Sequence, residues 1–87
     1  MNKFFKISEE ITFESIDNNI YILNIESGKY FSLSDSASLI WEEIEKGHHI
    51  EDIKTNIKSR FGEDNRIDND IDETISRFIA LGLISNN

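Results

Sequence analysis

The chain has no cysteine and no proline. The first absence excludes disulfides, thiolate metal sites and cysteine nucleophiles together, and leaves no sign of a redox compartment. The second excludes a polyproline linker. Positive charge is scarce too: 9 Lys and Arg stand against 17 Asp and Glu, a formal net charge of -8. Phosphate backbones and anionic lipid surfaces repel such a chain, so neither nucleic acid nor membrane is an expected partner. No run approaches the ~20 apolar residues of a membrane span. The start, Met1-Asn2-Lys3-Phe4-Phe5-Lys6, is charged, but Ser8, Glu9 and Glu10 interrupt any apolar stretch behind it. It does not read as a signal peptide, and a cytoplasmic protein is expected. What is present is 87 residues that are 38% hydrophobic, with six Phe and one Trp. That suffices for one small core and is too apolar for a disordered acidic tail. A single domain over residues 1–87 is expected, too small for the walled pocket of most enzymes.

The chain changes texture near residue 34. Before it, apolar residues alternate: Ile11 to Ile16, then the β-branched and aromatic run Asn19 to Ile25, then Lys29-Tyr30-Phe31-Ser32-Leu33-Ser34. Asp17-Asn18-Asn19 and Glu26-Ser27-Gly28 separate these runs as turns. A three-stranded antiparallel meander follows from this pattern. Its middle strand is expected to turn Tyr21, Leu23 and Ile25 toward helices, with Ile20 and Ile22 toward Phe4 and Phe5. After residue 34 the period lengthens to that of helices. Ser34 or Asp35 caps the first, whose apolar face is Ala37, Ile40, Trp41 and Ile44 before Gly47. The second carries Ile50, Ile53, Ile57 and Phe61, with acids in its first turn and Lys58 and Arg60 in its last. The third carries Ile67, Ile71, Ile75, Phe78 and Ile79, and Leu83 and Ile84 fold back as an apolar finish. The fold class is α+β, in the order β-β-β-α-α-α.

Residues that could carry chemistry favour plain readings. His48-His49 is the only histidine pair, and it sits in the turn at Gly47 with no third metal ligand beside it. Asp64, Asp68, Asp70 and Asp72 are spaced like the start of a calcium loop, but no Gly stands at the sixth position and no Glu at the twelfth. An acidic helix entry explains them. Asp35-Ser36-Ala37-Ser38-Leu39 resembles the site at which carrier proteins bear a phosphopantetheine arm. Carrier proteins place a long helix before that serine, whereas here three strands precede it and Ala37 follows it. Helix capping is preferred. No nucleophile, base and oxyanion donor can be assembled, so no catalytic residue, metal or cofactor is expected.

The last strand is the informative feature. In a meander it is an edge, and Lys29 to Ser34 has one charge and no proline to blunt it. Such an edge is a template for an incoming extended peptide or for self-pairing into a homodimer.

Gly28-Lys29-Tyr30-Phe31-Ser32-Leu33, then Ser34-Asp35-Ser36-Ala37 and Ile40-Trp41, then the Gly47 turn into Ile50-Glu51-Asp52-Ile53, resembles the PqqD-like family. The run Ile71 to Ile84, with Leu81-Gly82-Leu83-Ile84, is similar to the family's last helix and tail. The match spans about residues 11–84 and consists of spaced apolar residues, not of catalytic signatures. It implies a winged helix-turn-helix-like recognition element for ribosomally made, modified peptides. Such elements bind the leader of a precursor peptide as an added strand, in a cleft between the third strand and the third helix. They then present the peptide to a modifying enzyme. The resemblance further implies a discrete partner protein, in a lasso-peptide setting, that hands the leader to a separate cysteine leader protease.

On this reading the peptide-binding residues are Lys29, Tyr30, Phe31, Ser32, Leu33 and Ser34 from the strand. From the third helix come Asp68, Ile71, Asp72, Ile75 and Ile79, with Ile71 and Ile75 equally placed to be structural. Glu63 to Arg77 holds six acids against two Arg. Duplex DNA would be repelled there, and a leader carrying Lys or Arg would be steered in. The alternative function is a transcription-associated winged-helix module that dimerises through its edge strand and contacts another protein.

Overall fold

The computed structural model describes residues 4–62 and 64–86; Met1 to Lys3 of the charged start and Glu63 of the acidic segment lie outside them. The elements are β1 (Phe5–Ile7), β2 (Ile11–Ile16), β3 (Asn19–Asn24), β4 (Tyr30–Leu33), α1 (Asp35–Glu45), α2 (Ile50–Phe61), α3 (Asn65–Ala80) and β5 (Ile84–Asn86). The three expected strands are β2, β3 and β4, paired in that order and antiparallel. Asp17 and Asn18 join β2 to β3 with φ of 51° and 68°. Two left-handed residues in succession give the tight hairpin whose twist matches its strands. At the next turn, Asn24 Oδ1 accepts from the Glu26 and Ser27 amides, and Gly28 returns the chain to β4.

The face of β3 is the reverse of the expected one. Ile20 and Ile22 are buried, while Tyr21 is half-buried and Leu23 and Ile25 are exposed. The cross-strand rows explain it. Phe13, Ile22 and Phe31 lie opposite one another, an apolar row; Glu14, Tyr21 and Ser32 form the row on the other face. A face is decided by whole rows of paired residues, not by one strand's own side chains. The buried row meets α1, where Phe13 packs edge-on against Trp41 at 5.4 Å between ring centroids.

Two further strands extend the expected order. β1 and β5 pair antiparallel, Phe5 opposite Asn86 and Ile7 opposite Ile84. The Ser8 amide and hydroxyl add bonds to the carbonyls of Leu83 and Gly82 at 3.0 and 2.6 Å. This ribbon puts Phe5, Leu83 and Ile84 into the core, while Phe4 stays exposed and rests edge-on against His49.

The helices form where the apolar period predicts them, and their ends have specific causes. Gly47 and Gly82 take φ of 85° and 75° one residue past the caps of α1 and α3. Each helix closes with a paired bond: His48 to Glu43 and Gly47 to Ile44 in α1, Leu83 to Phe78 and Gly82 to Ile79 in α3. That double closure requires a left-handed residue, which glycine adopts without strain. Ser34 caps α1 without a side-chain bond; instead the buried Ser38 hydroxyl donates to the Leu33 carbonyl at 2.8 Å and pins α1 to the end of β4. The core gathers Ile40, Trp41 and Ile44 from α1, Ile53 and Ile57 from α2, and Ile71, Ile75 and Phe78 from α3. Phe61 and Ile79, expected to join these faces, are exposed by 59% and 36%. Phe61 is the last residue of α2, beyond the end of the packed face, and Ile79 lies a further ~100° around α3 from Phe78.

Glu43 clasps α1 to α2. Its Oε1 lies 2.8 Å from His48 Nδ1 and accepts from Asn56 Nδ2 at 2.6 Å. Burial alone would push this carboxyl up; the bonds from Asn56 and His48, with the charges of His48 and Lys46, hold it below its ordinary value of 4.5. A depressed folded-state pKa adds stability above the unfolded value, and that stability is lost as pH falls through the folded one. Thermal melts of Glu43→Gln should therefore show a shallower loss of Tm below pH 4.5 than the wild type. Parallel acid limbs in the two proteins would exclude Glu43 from that role.

Candidate peptide-binding cleft

In β4, hydrogen-bonding direction is settled by alternation. The Asn24 amide donates to the Lys29 carbonyl at 2.9 Å. In an antiparallel ladder bonded and non-bonded pairs alternate, so Phe31 and Leu33 turn their backbone groups toward β3. Tyr30 and Ser32 then direct theirs away, to the edge that no strand covers among the described residues. The side chains divide oppositely: Phe31 and Leu33 are half-buried toward α1 and α3, whereas Tyr30 and Ser32 lie on the outer face. Tyr30 is 64% exposed and stacks on Tyr21 with 6.2 Å between centroids.

Beside this edge runs a cleft of about 320 Å³. Phe31 to Ser34 form one wall, and Thr74, Arg77, Phe78 and Leu81 of α3 and its cap form the other; Ala37 and Leu83 also line it. Phe78 and Leu83, both buried, make an apolar floor. The helix α3 thus supplies a polar, a cationic and an apolar side chain in succession along the cleft, at Thr74, Arg77 and Leu81.

All six strand residues named from the sequence lie on or beside this edge. Lys29 precedes β4 and donates its amide to Ser27 Oγ; Ser34 follows β4 as the α1 cap. The helix residues are placed elsewhere. Asp68 and Asp72 turn toward α2, where they pair with Lys58 at 2.9 Å and Lys54 at 3.1 Å. Ile71 and Ile75 are core, and Ile71 also borders a second, larger hollow that includes Asp35, Arg60 and Phe61. Ile79 is outside the lining of the cleft. Sequence reasoning therefore missed Thr74, Arg77, Phe78 and Leu81 as lining residues. Their spacing of three and four was legible, but which flank of the buried stripe Ile71-Ile75-Phe78 meets β4 is not a property of periodicity.

Asp64 caps α3 through the Arg66 amide and also binds the Arg66 guanidinium, which holds its carboxyl below the usual range. Among the described residues no group of three or more His, Cys, Asp or Glu is placed to hold a metal ion, and no helix is long and apolar enough to cross a membrane.

The sequence profile of coenzyme PQQ synthesis protein D (PqqD) matches residues 19–84. The chain belongs to the PqqD family. Two solved structures extend the likeness of this PqqD-family chain to the full fold. One, described as TbiB1 in complex with the TbiA(beta) leader peptide, is 26% identical, with a TM-score of 0.87 over 92% of this chain and 94% of that one. The other, a lasso peptide synthetase B1 complexed with the leader peptide, is 25% identical, with a TM-score of 0.79 over 93% and 96%. No curated protein matches the chain. The α+β architecture of meander and three helices is thus shared within the PqqD family, with β1 and β5 framing it here.

Proposed function

We propose that this chain binds, without catalysis, the leader segment of a ribosomally made precursor peptide and delivers it to a separate modifying enzyme. The observation that carries the reading is the edge of β4, which no strand covers among the described residues, with the amides of Tyr30 and Ser32 directed outward beside a cleft floored by Phe78 and Leu83. An extended leader adds as a fourth strand of this sheet, its main chain bonding to Tyr30 and Ser32 and alternate side chains entering the cleft. Both structural relatives above hold leader peptides, which supports the ligand class, and the one described as a lasso peptide synthetase B1 supports a lasso-peptide setting. In that setting the enzyme receiving the leader is a cysteine leader protease, and the complex works in the cytoplasm. The acids on α3, among them Asp70 and Glu73, oppose use of this helix on duplex DNA.

Amide hydrogen exchange tests the reading. Addition of a synthetic leader peptide should slow exchange at Tyr30 and Ser32 and leave Phe31 and Leu33, already bonded to β3, little changed. Unchanged exchange at Tyr30 and Ser32 under saturating peptide would defeat strand addition. Protection that grows with protein concentration in the absence of peptide would assign the edge to a homodimer instead.

A further inference from the structure

Among the described residues the lining of the cleft contains no Asp or Glu, although acids outnumber bases 17 to 9 in the chain. The one charged residue among those described there is Arg77. Elsewhere Lys6, Lys54, Lys58 and Arg66 each lie within 4 Å of a carboxylate, at Glu9, Asp72, Asp68 and Asp64 respectively. Arg77 has no such partner among the described residues, and neither do Lys29, Lys46 and Arg60; of these four Arg77 is the one that lines the cleft, and its side chain is exposed. A cation in the last turn of α3 suits the helix dipole. The dipole, however, acts at any position around that turn and does not require the cation to face β4.

Resting on the reading of β4 as a peptide-binding edge, we propose that the cleft selects a strand carrying an Asp or Glu opposite Arg77 and an apolar residue two positions away. The geometry supports the spacing. Arg77 and Leu81 are four residues apart on α3 and its cap, a rise of ~6 Å. Side chains two apart on a strand share a face and are separated by ~6.7 Å. Phe31 to Ser34 and Thr74 to Leu81 line the same cleft, so one strand lying in it meets both positions. Its carboxylate accepts from the planar guanidinium in two parallel bonds, and its apolar neighbour settles against Leu81 and Phe78. Thr74, one turn before Arg77, offers a hydroxyl to the same carboxylate. The net charge of -8 draws cationic peptides to the molecule as a whole, whereas the cleft itself asks for one acid.

A displayed library of random twelve-residue peptides, selected on the wild-type protein, on Arg77→Glu and on Ser32→Pro, tests this. Wild type should enrich Asp or Glu at one position with an apolar residue two away, and Arg77→Glu should switch that position to Lys or Arg. Arg77→Gln, which leaves the helix uncharged there, should weaken the wild-type binders by about two- to fivefold, as expected for a partly exposed pair. Melting curves of both Arg77 variants establish that they are folded at the selection temperature. Binders that disappear on Ser32→Pro yet show no acidic preference would overturn the Arg77 assignment alone. Binders indifferent to Ser32→Pro, or no binders at all, would overturn the peptide-edge reading and this inference with it.

Discussion

Ser32→Pro should fold like the wild type and lose at least about tenfold in leader affinity. The amide of Ser32 points away from β3, so proline removes no bond of the existing ladder, and edge positions of this kind tolerate it. The same ring deletes one of two outward donors and fills the space where an incoming strand must lie. One net hydrogen bond is worth ~0.5–1.5 kcal/mol, and steric exclusion of the strand adds to it. Phe31→Pro is the matched control. Its amide belongs to the β3–β4 ladder, so that variant should be destabilised outright. Titration of a labelled leader against both variants, with thermal melts alongside, separates the outcomes. Ser32→Pro binding at wild-type affinity while folded would exclude β4 as the docking edge.

Trp41→Ala should lose ~3–5 kcal/mol, most of the margin of a chain this size. Trp41 is fully buried and is held edge-on between Phe13 of β2 and Phe78 of α3, both at 5.4 Å between centroids. It therefore joins the sheet to the helix that forms the far wall of the cleft. Removing the indole leaves a cavity at that junction, and Tm should fall by more than ~10 °C. Trp41→Phe should lose much less, because the indole Nε1 has no hydrogen-bond partner among the described residues and only volume is given up. A Trp41→Ala protein that melts normally but binds no leader would move this residue from the core to the site.

The two ends of the cleft's chemistry were unequally legible. The strand itself could be read directly, because alternation, length and the lack of proline are local properties: Lys29 to Ser34 span β4 and its flanks, and Phe31 to Ser34 of that run line the cleft. The helix wall could not. Asp68 and Asp72 share a face at helical spacing, but that face is turned to Lys58 and Lys54 of α2. Arg77, the charge that does line the cleft, is in sequence one more basic residue near a helix end. Spacing fixes angles between side chains on one helix and leaves open how the helix is rotated against its neighbours.

By itself, then, the sequence determined the three meander strands, the three helices, the turns between them and the α+β class, because hydrophobic period, Asp-Asn and Gly turn chemistry and helix-ending glycines act over a few residues. It also determined the core of α1 and the likeness to PqqD proteins, both carried by apolar spacing. Only the tertiary structure decided which face of β3 is buried, since that depends on the pairing of Ile22 with Phe13 and Phe31 from two other strands. The same holds for the β1–β5 ribbon, whose partners are separated by nearly the whole chain. It holds again for the choice of Thr74, Arg77 and Leu81 over Asp68 and Asp72 beside β4. In each case the deciding contact is between residues far apart in sequence, and its free energy exists only once both have been brought together.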